Sequence, residues 1–219
     1  MKPKVKVCCM KSLEEAQLAI RYGASAVGFV SAMPSGPGPI TEEEIAAIIP
    51  FVPSGVATFL LTSQRDADTI IQQQQRTKAN TLQLVDSVPV SMYPELRARL
   101  PGITLVQVIH VTGEESVKEA HAVVPFVDAI LLDSGNPNLP VKQLGGTGRV
   151  HDWNLSRTIR EQATIPVYLA GGLRPENVAE AIRLVRPYAV DLCSGVRTNG
   201  NLDEAKLSAF FAQVSAAQA

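Results

Sequence analysis

Two cysteines stand side by side at the end of the first apolar run, VKVCC (5–9), in a chain with only one other, Cys193. A buried cysteine is usually a small inert hydrophobe. Near a positive charge or a helix N-terminus the thiol becomes a base or nucleophile instead. Neighbouring side chains on a strand point to opposite faces. Alternation therefore admits one of Cys8 and Cys9 to a site and sends the other into a helix layer; Cys193 reads as core. Asp133, at the end of VDAILLD (127–133), is the second acid–base candidate. A carboxyl walled by apolar residues holds its proton and can act as a general acid. An aspartate there can also simply cap a turn. The stretch 134–150 that follows is long, polar and Gly-rich, which predicts a lid over the site.

LAGGLRPENV (169–178) and DLCSGV (191–196) put small residues between an apolar run and a helical pattern. At Gly171, Gly172, Ser194 and Gly195 the backbone N–H groups can come close to an anion, with a helix N-terminus behind them. Either loop alone could be a tight turn; two in successive units predict a phosphate site. The histidines are expected as a strand residue (His110), an exposed helix residue (His121) and part of the lid (His151). No spacing among them and the cysteines resembles a zinc site.

One rhythm positions these residues. Short β-branched runs at 5–9, 25–30, 55–61, 80–85, 103–111, 127–133, 165–172 and 188–195 alternate with helical patterns. The latter fall at 13–22, 41–49, 64–76, 92–99, 114–123, 154–161, 175–185 and 203–214. Near-continuous apolar strands suit a parallel sheet covered on both faces. About eight such units predict an α/β fold, a TIM (βα)8 barrel, as a single domain over 1–219. The same alternation suits an open doubly wound sheet, but no GxGxxG follows the first strand. Ser12 with Glu15, and Thr41 with Glu44, are capping-box patterns. Gly23 suits a C-terminal cap, Pro175 a first helical turn, and QQQQ (72–75) a solvated helix face. In a barrel the chemistry sits at the C-terminal strand ends, where Cys8, Asp133 and both loops fall.

Composition narrows the partners. The net charge of -1 and the absence of a basic cluster exclude nucleic acid as the expected ligand. No apolar stretch is long enough to cross a membrane, and MKPKVKVCC turns polar too early for a secretory signal. Three cysteines make no disulfide framework. Reduced thiols and a cytoplasmic location are expected.

In order and spacing, KVCCMKSLEEAQLAIRYGASAVGFV, ILLDS, GGTGRVHDW, LAGGLRPENVAEAI and VDLCSGV resemble the phosphoribosylanthranilate isomerase family, the TIM barrels of tryptophan biosynthesis. The resemblance runs nearly the full length. It implies an Amadori rearrangement of a phosphorylated aminoaldose to an aminoketose. Cys8 would be the base at C2′ and Asp133 the acid at the ring oxygen, with the phosphate on Gly171, Gly172, Ser194 and Gly195. It implies no cofactor and no metal, because the substrate amine forms the iminium that accepts electrons. The chain departs from the family at four places. MPSGPGPI (33–40) lacks the family's arginine. Gln83-Leu84-Val85-Asp86 stands for Gln-Leu-His-Gly, Cys9 stands for a glycine, and Arg197 for a glutamate. Arg197 or Arg149 is therefore expected to meet an anionic aglycone, with Gln83 at the same end. Two alternatives stay open: a paralogue isomerising another phosphosugar, and a non-catalytic barrel that binds a phosphorylated metabolite.

Overall fold

The computed structural model describes residues 3–217. Eight parallel strands run β1 Lys4–Val7, β2 Ala26–Val30, β3 Ala57–Thr62, β4 Thr81–Leu84, β5 Thr104–His110, β6 Ala129–Asp133, β7 Val167–Leu169 and β8 Ala189–Leu192. Each pairs with the next, and β8 pairs with β1 (Lys6 opposite Asp191), so the barrel is closed. The helices are α1 Leu13–Arg21, α2 Glu42–Ile48, α3 Ala67–Thr77, α4 Met92–Arg99, α5 Glu115–Val123, α6 Trp153–Gln162, α7 Val178–Val185 and α8 Glu204–Ala216. Closure leaves the barrel no sheet edge.

Strand alternation sorts the core into two compartments. Val5, Val7, Val27, Ile109, Ile130 and Leu132 pack outward against the helices. Ala26, Val30, Phe59, Leu61, Val106, Val108, Ala129 and Leu131 fill the barrel. The lower interior is closed by Phe59 and Tyr168, edge to face at 5.8 Å.

The helix starts follow their caps. Thr41 and Glu44 form both halves of a capping box, with Glu44 N–H donating to Thr41 Oγ1 (3.2 Å) and Thr41 N–H to Glu44 Oε2 (2.7 Å). Ser12 accepts from Glu15 N–H at 3.3 Å, but the Glu15 carboxylate turns to Lys11 N–H and Arg197, so that box is half made. Gly23, at φ +102, ends α1 as expected. Pro175 lies in the turn before α7, not in its first turn. The glutamine run is a solvated face only in part: Gln72 and Gln75 are exposed, but Gln73 accepts from Thr62 Oγ1 at 2.6 Å and Gln74 donates to Ala79 O at 2.9 Å, both buried. An antiparallel hairpin, β9 Arg197–Thr198 and β10 Asn201–Leu202, precedes α8. Its turn residues Asn199 and Gly200 both have positive φ, the Asn-Gly hairpin signature. No described helix is long and apolar enough to cross a membrane.

Candidate active site

The ladder of β1 continues through Cys8, whose N–H donates to Leu192 O at 2.8 Å. Cys8 faces the barrel interior over Gly28; a Cβ on Gly28 would lie 2.7 Å from its sulfur. Cys9 then adopts a left-handed backbone, φ +63. A side chain there costs roughly 1–2 kcal/mol. The turn also overrides strand alternation: Cys8 and Cys9 line one cavity, and neither enters the helix layer. Cys9 packs against Gly38, where a Cβ would lie 2.7 Å from its own. Cys193 joins them, half-buried at the cavity wall rather than in the core.

Asp133 ends β6 at the same mouth, buried. Burial holds its carboxyl above the usual aspartate range, against the pull of His110 and the Ser134 N–H. His110 is opposite Asp133 in the β5–β6 register, and its Nε2 lies 2.9 Å from Val85 O. The Cys8 thiol is shifted the other way. A hydrogen bond with Cys9 lowers it despite burial, and Lys6 adds to the effect. Cys9 is pushed up by its hydrogen bonds with Cys193 and Cys8 and by burial. A carboxyl shifted toward its protonated form and a thiol shifted toward ionisation thus face one cavity.

Below them lie two charges that the sequence reading did not single out. Lys6, wholly buried, donates to Asp191 Oδ2 at 2.8 Å, with its ammonium 4.8 Å from the centre of the Phe59 ring. Burial alone would lower the Lys6 ammonium; Asp191 outweighs it and holds the proton on. Burial likewise pushes the Asp191 carboxyl up against the opposing Lys6, so each charge depends on the other. Asp191 lines the cavity, and its Oδ1 is buried without a partner. Lys6 was legible as the residue two before Cys8 on one strand face.

Gly171 and Gly172 both have positive φ. A Cβ on Gly171 would lie 2.9 Å from His151 Nδ1, and one on Gly172 2.6 Å from the Arg149 carbonyl. They line the cavity together with Ser194. Gly195 does not line it. It lets the two loops nest, since a Cβ there would lie 2.0 Å from Leu173 O.

The stretch 134–150 folds across the mouth. Ser134 Oγ and Thr147 Oγ1 are 2.8 Å apart, Asn136 and Gln143 exchange backbone hydrogen bonds, and Lys142 pairs with Asp86. Ser35 Oγ donates to Lys142 O at 2.6 Å, tying the lid to the loop after β2. Beneath it is a cavity of about 740 Å³ including its open mouth. Val30, Met33, Leu61, Val85, Val108, Leu131 and Leu144 form its apolar wall.

The arginines fall elsewhere. Arg197 is buried, forms a two-pronged pair with Glu15 (both 2.8 Å), and donates to Gly200 O and Cys9 O. It does not line the cavity, so the expected aglycone contact is replaced by a structural one. Arg149 is exposed on the lid and bonded to Gln143. Gln83 does line the cavity, with Oε1 buried and unpartnered. Among the described lining residues none is lysine or arginine.

A closed parallel barrel with its ionisable groups and glycine loops at the C-terminal strand ends is the arrangement of a (βα)8-barrel enzyme. Residues 5–213 match the family profile of N-(5′-phosphoribosyl)anthranilate (PRA) isomerase. The chain is 35% identical over 228 residues to the N-(5′-phosphoribosyl)anthranilate isomerase of Methanosarcina acetivorans, covering 98% of this chain and 94% of that one. The crystal structure of phosphoribosyl anthranilate isomerase from Thermotoga maritima superposes with a TM-score of 0.84 at 30% identity, over 98% of this chain and 99% of that one. A phosphoribosyl anthranilate isomerase in complex with reduced 1-(o-carboxyphenylamino)-1-deoxyribulose 5-phosphate gives 0.81 at 28% identity, with the same coverage. The chain belongs to the N-(5′-phosphoribosyl)anthranilate isomerase family.

Proposed function

We propose that the protein isomerises N-(5′-phosphoribosyl)anthranilate to the carboxyphenylamino-deoxyribulose phosphate of tryptophan biosynthesis, with Asp133 as acid and Cys8 as base. The observation that carries this is the opposed tuning of the two groups at one mouth: burial shifts Asp133 toward its protonated form, and Cys9 and Lys6 shift Cys8 toward thiolate. Environments that push two titratable groups apart mark acid–base assignments.

Asp133 gives its proton to the furanose ring oxygen. The C1′–O bond breaks, and the nitrogen lone pair forms the C1′=N iminium. The Cys8 thiolate takes the proton from C2′, and that electron pair forms C1′=C2′ and neutralises the nitrogen. The enolamine tautomerises to the ketone by gaining a proton at C1′ and losing that of the 2′ hydroxyl. The electrons stay within the substrate throughout. Gly171, Gly172 and Ser194 offer the phosphate a cradle without side-chain charge, Gly195 supporting it from behind. The apolar wall suits an aromatic ring, and the lid keeps water from the iminium. The unpartnered Oε1 of Gln83 offers an acceptor to a substrate N–H or O–H.

One feature favours a second reading, the same chemistry on a related phosphosugar with a different aglycone. Among the described residues no lysine or arginine lines the cavity to meet a carboxylate, and a guanidinium is the natural planar partner for one.

The test supplies phosphoribosylanthranilate generated in place and follows the loss of its fluorescence. We expect turnover, with kcat lowered about 10²–10⁴-fold in Cys8→Ser and in Asp133→Asn. Turnover surviving either change would overturn the assignment. Binding of ribose phosphates without turnover of this substrate would favour a different aglycone or a binding role.

A further inference from the structure

The mechanism above does not use the charges beneath the site. A lysine wholly excluded from water is costly, and this one has a single carboxylate for a partner and an aromatic face beside it. A pair serving stability alone could be replaced by apolar residues at no loss. Its placement suggests another use. Lys6 and Cys8 lie two residues apart on the inward face of β1. Asp191 reaches the same space from β8, its register partner being Lys6.

We propose that Lys6 is a positioning residue for the base: its buried ammonium, beneath Cys8 on the barrel's inner face, holds the Cys8 sulfur as thiolate, and Asp191 limits that effect. The inference rests on Cys8 being the base. A cation in a low-dielectric site stabilises a nearby anion far more than in water. The charged and titratable groups facing Cys8 are few. Lys6 comes from its own strand, Cys9 from the turn, and Asp191 and Cys193 from β8 and its exit. Gly28 and Leu61, the neighbours from β2 and β3, carry no charge. Among these described groups Lys6 is the one cation, and it favours the thiolate more than Asp191 opposes it. Asp133 across the mouth feels the same two charges in the opposite sense, Lys6 lowering and Asp191 raising its carboxyl. The pair therefore bears on base and acid together, while burial remains the main cause that raises the Asp133 carboxyl.

The test measures the pH dependence of Cys8 alkylation by iodoacetamide, with the modified thiol located by peptide fragmentation. Wild type is compared with Lys6→Met/Asp191→Asn and with Lys6→Met/Asp191→Leu, each of which removes both charges; removing Asp191 alone would let burial take the proton, and with it the charge, from Lys6. Both variants are expected to titrate higher than wild type, by about one pH unit. The acid limb of kcat/KM should move with them. A variant titrating at or below the wild type overturns the proposal. Should one variant not fold, the other decides by the same criterion. A purely structural pair would leave the midpoint where it is. Alkylation reads the thiol without turnover, so failure here is distinct from Cys8→Ser retaining activity.

Discussion

At the scale of single residues, the site depends on close approaches that admit no extra atom. Gly28 is the sharpest case. The Cys8 sulfur lies where a neighbouring strand would ordinarily carry a side chain. In Gly28→Ala the added methyl would sit 2.7 Å from that sulfur, so the thiol must swing away from its observed position. Overpacking of this kind costs about 1–3 kcal/mol, which a barrel of this size tolerates. We expect kcat to fall at least about tenfold while the variant stays folded, since small displacements of a catalytic group cost large factors. Steady-state kinetics beside a thermal melt checks this, and unchanged kcat would mean that Cys8 does not work from its observed position. The adjacent Cys9 is a contrary case. It occupies a left-handed position that favours glycine, and in return its thiol hydrogen-bonds Cys8 and favours ionisation there.

At the scale of elements, the chain announced most of its fold. Each β-branched run fell on a strand, and each helical pattern on a helix, because both periods are set by burial against a barrel wall. The ends were less legible. Strand alternation placed Cys8 and Cys9 on opposite sides, but alternation holds only while the strand lasts, and β1 ends at Val7. That Cys8, Asp133 and the glycine loops would meet at one mouth was legible because a barrel gathers its C-terminal strand ends there. The Lys6–Asp191 pair was not, because nothing in a single strand tells which carboxylate a buried lysine will meet across 185 residues. Arg197 misled for the same reason. Its partner is Glu15, whose capping pattern accounted for it locally. That pair ties α1 to the β9–β10 hairpin and, through Cys9 O, to the active-site turn. Removing one partner of a buried pair costs about 3–5 kcal/mol. Glu15→Ala should therefore lose about 3 kcal/mol in urea unfolding, some of Arg197 being able to reach water, and should disturb Cys8 reactivity as well. A loss under about 0.5 kcal/mol, the size of an exposed ion pair, would show that the pair does not organise this corner.

At the scale of the whole molecule, the lid joins the mouth to the fold's response to acid. His151 lies where the lid runs into α6. Its Nε2 is 2.6 Å from Ser156 Oγ, and its buried Nδ1 sits beside Gly171 without a partner. Burial lowers its imidazole from 6.5 to about 4, against Asp152. Below pH about 6.5 the unfolded chain takes up a proton there that the folded chain refuses. Stability from this residue is therefore complete above that pH and falls as pH drops toward about 4, at up to about 1.4 kcal/mol per pH unit. Asp133 and Asp191, raised by burial, act in the opposite sense, because the folded chain keeps their protons longer. The difference between wild type and His151→Gln isolates the imidazole. We expect the wild type to lose about 3 kcal/mol more than the variant between pH 7 and pH 4 in denaturant unfolding. Parallel curves for the two proteins would show that His151 is protonated in the closed molecule, and that the packing of Gly171 against the lid yields to acid without loosening the barrel.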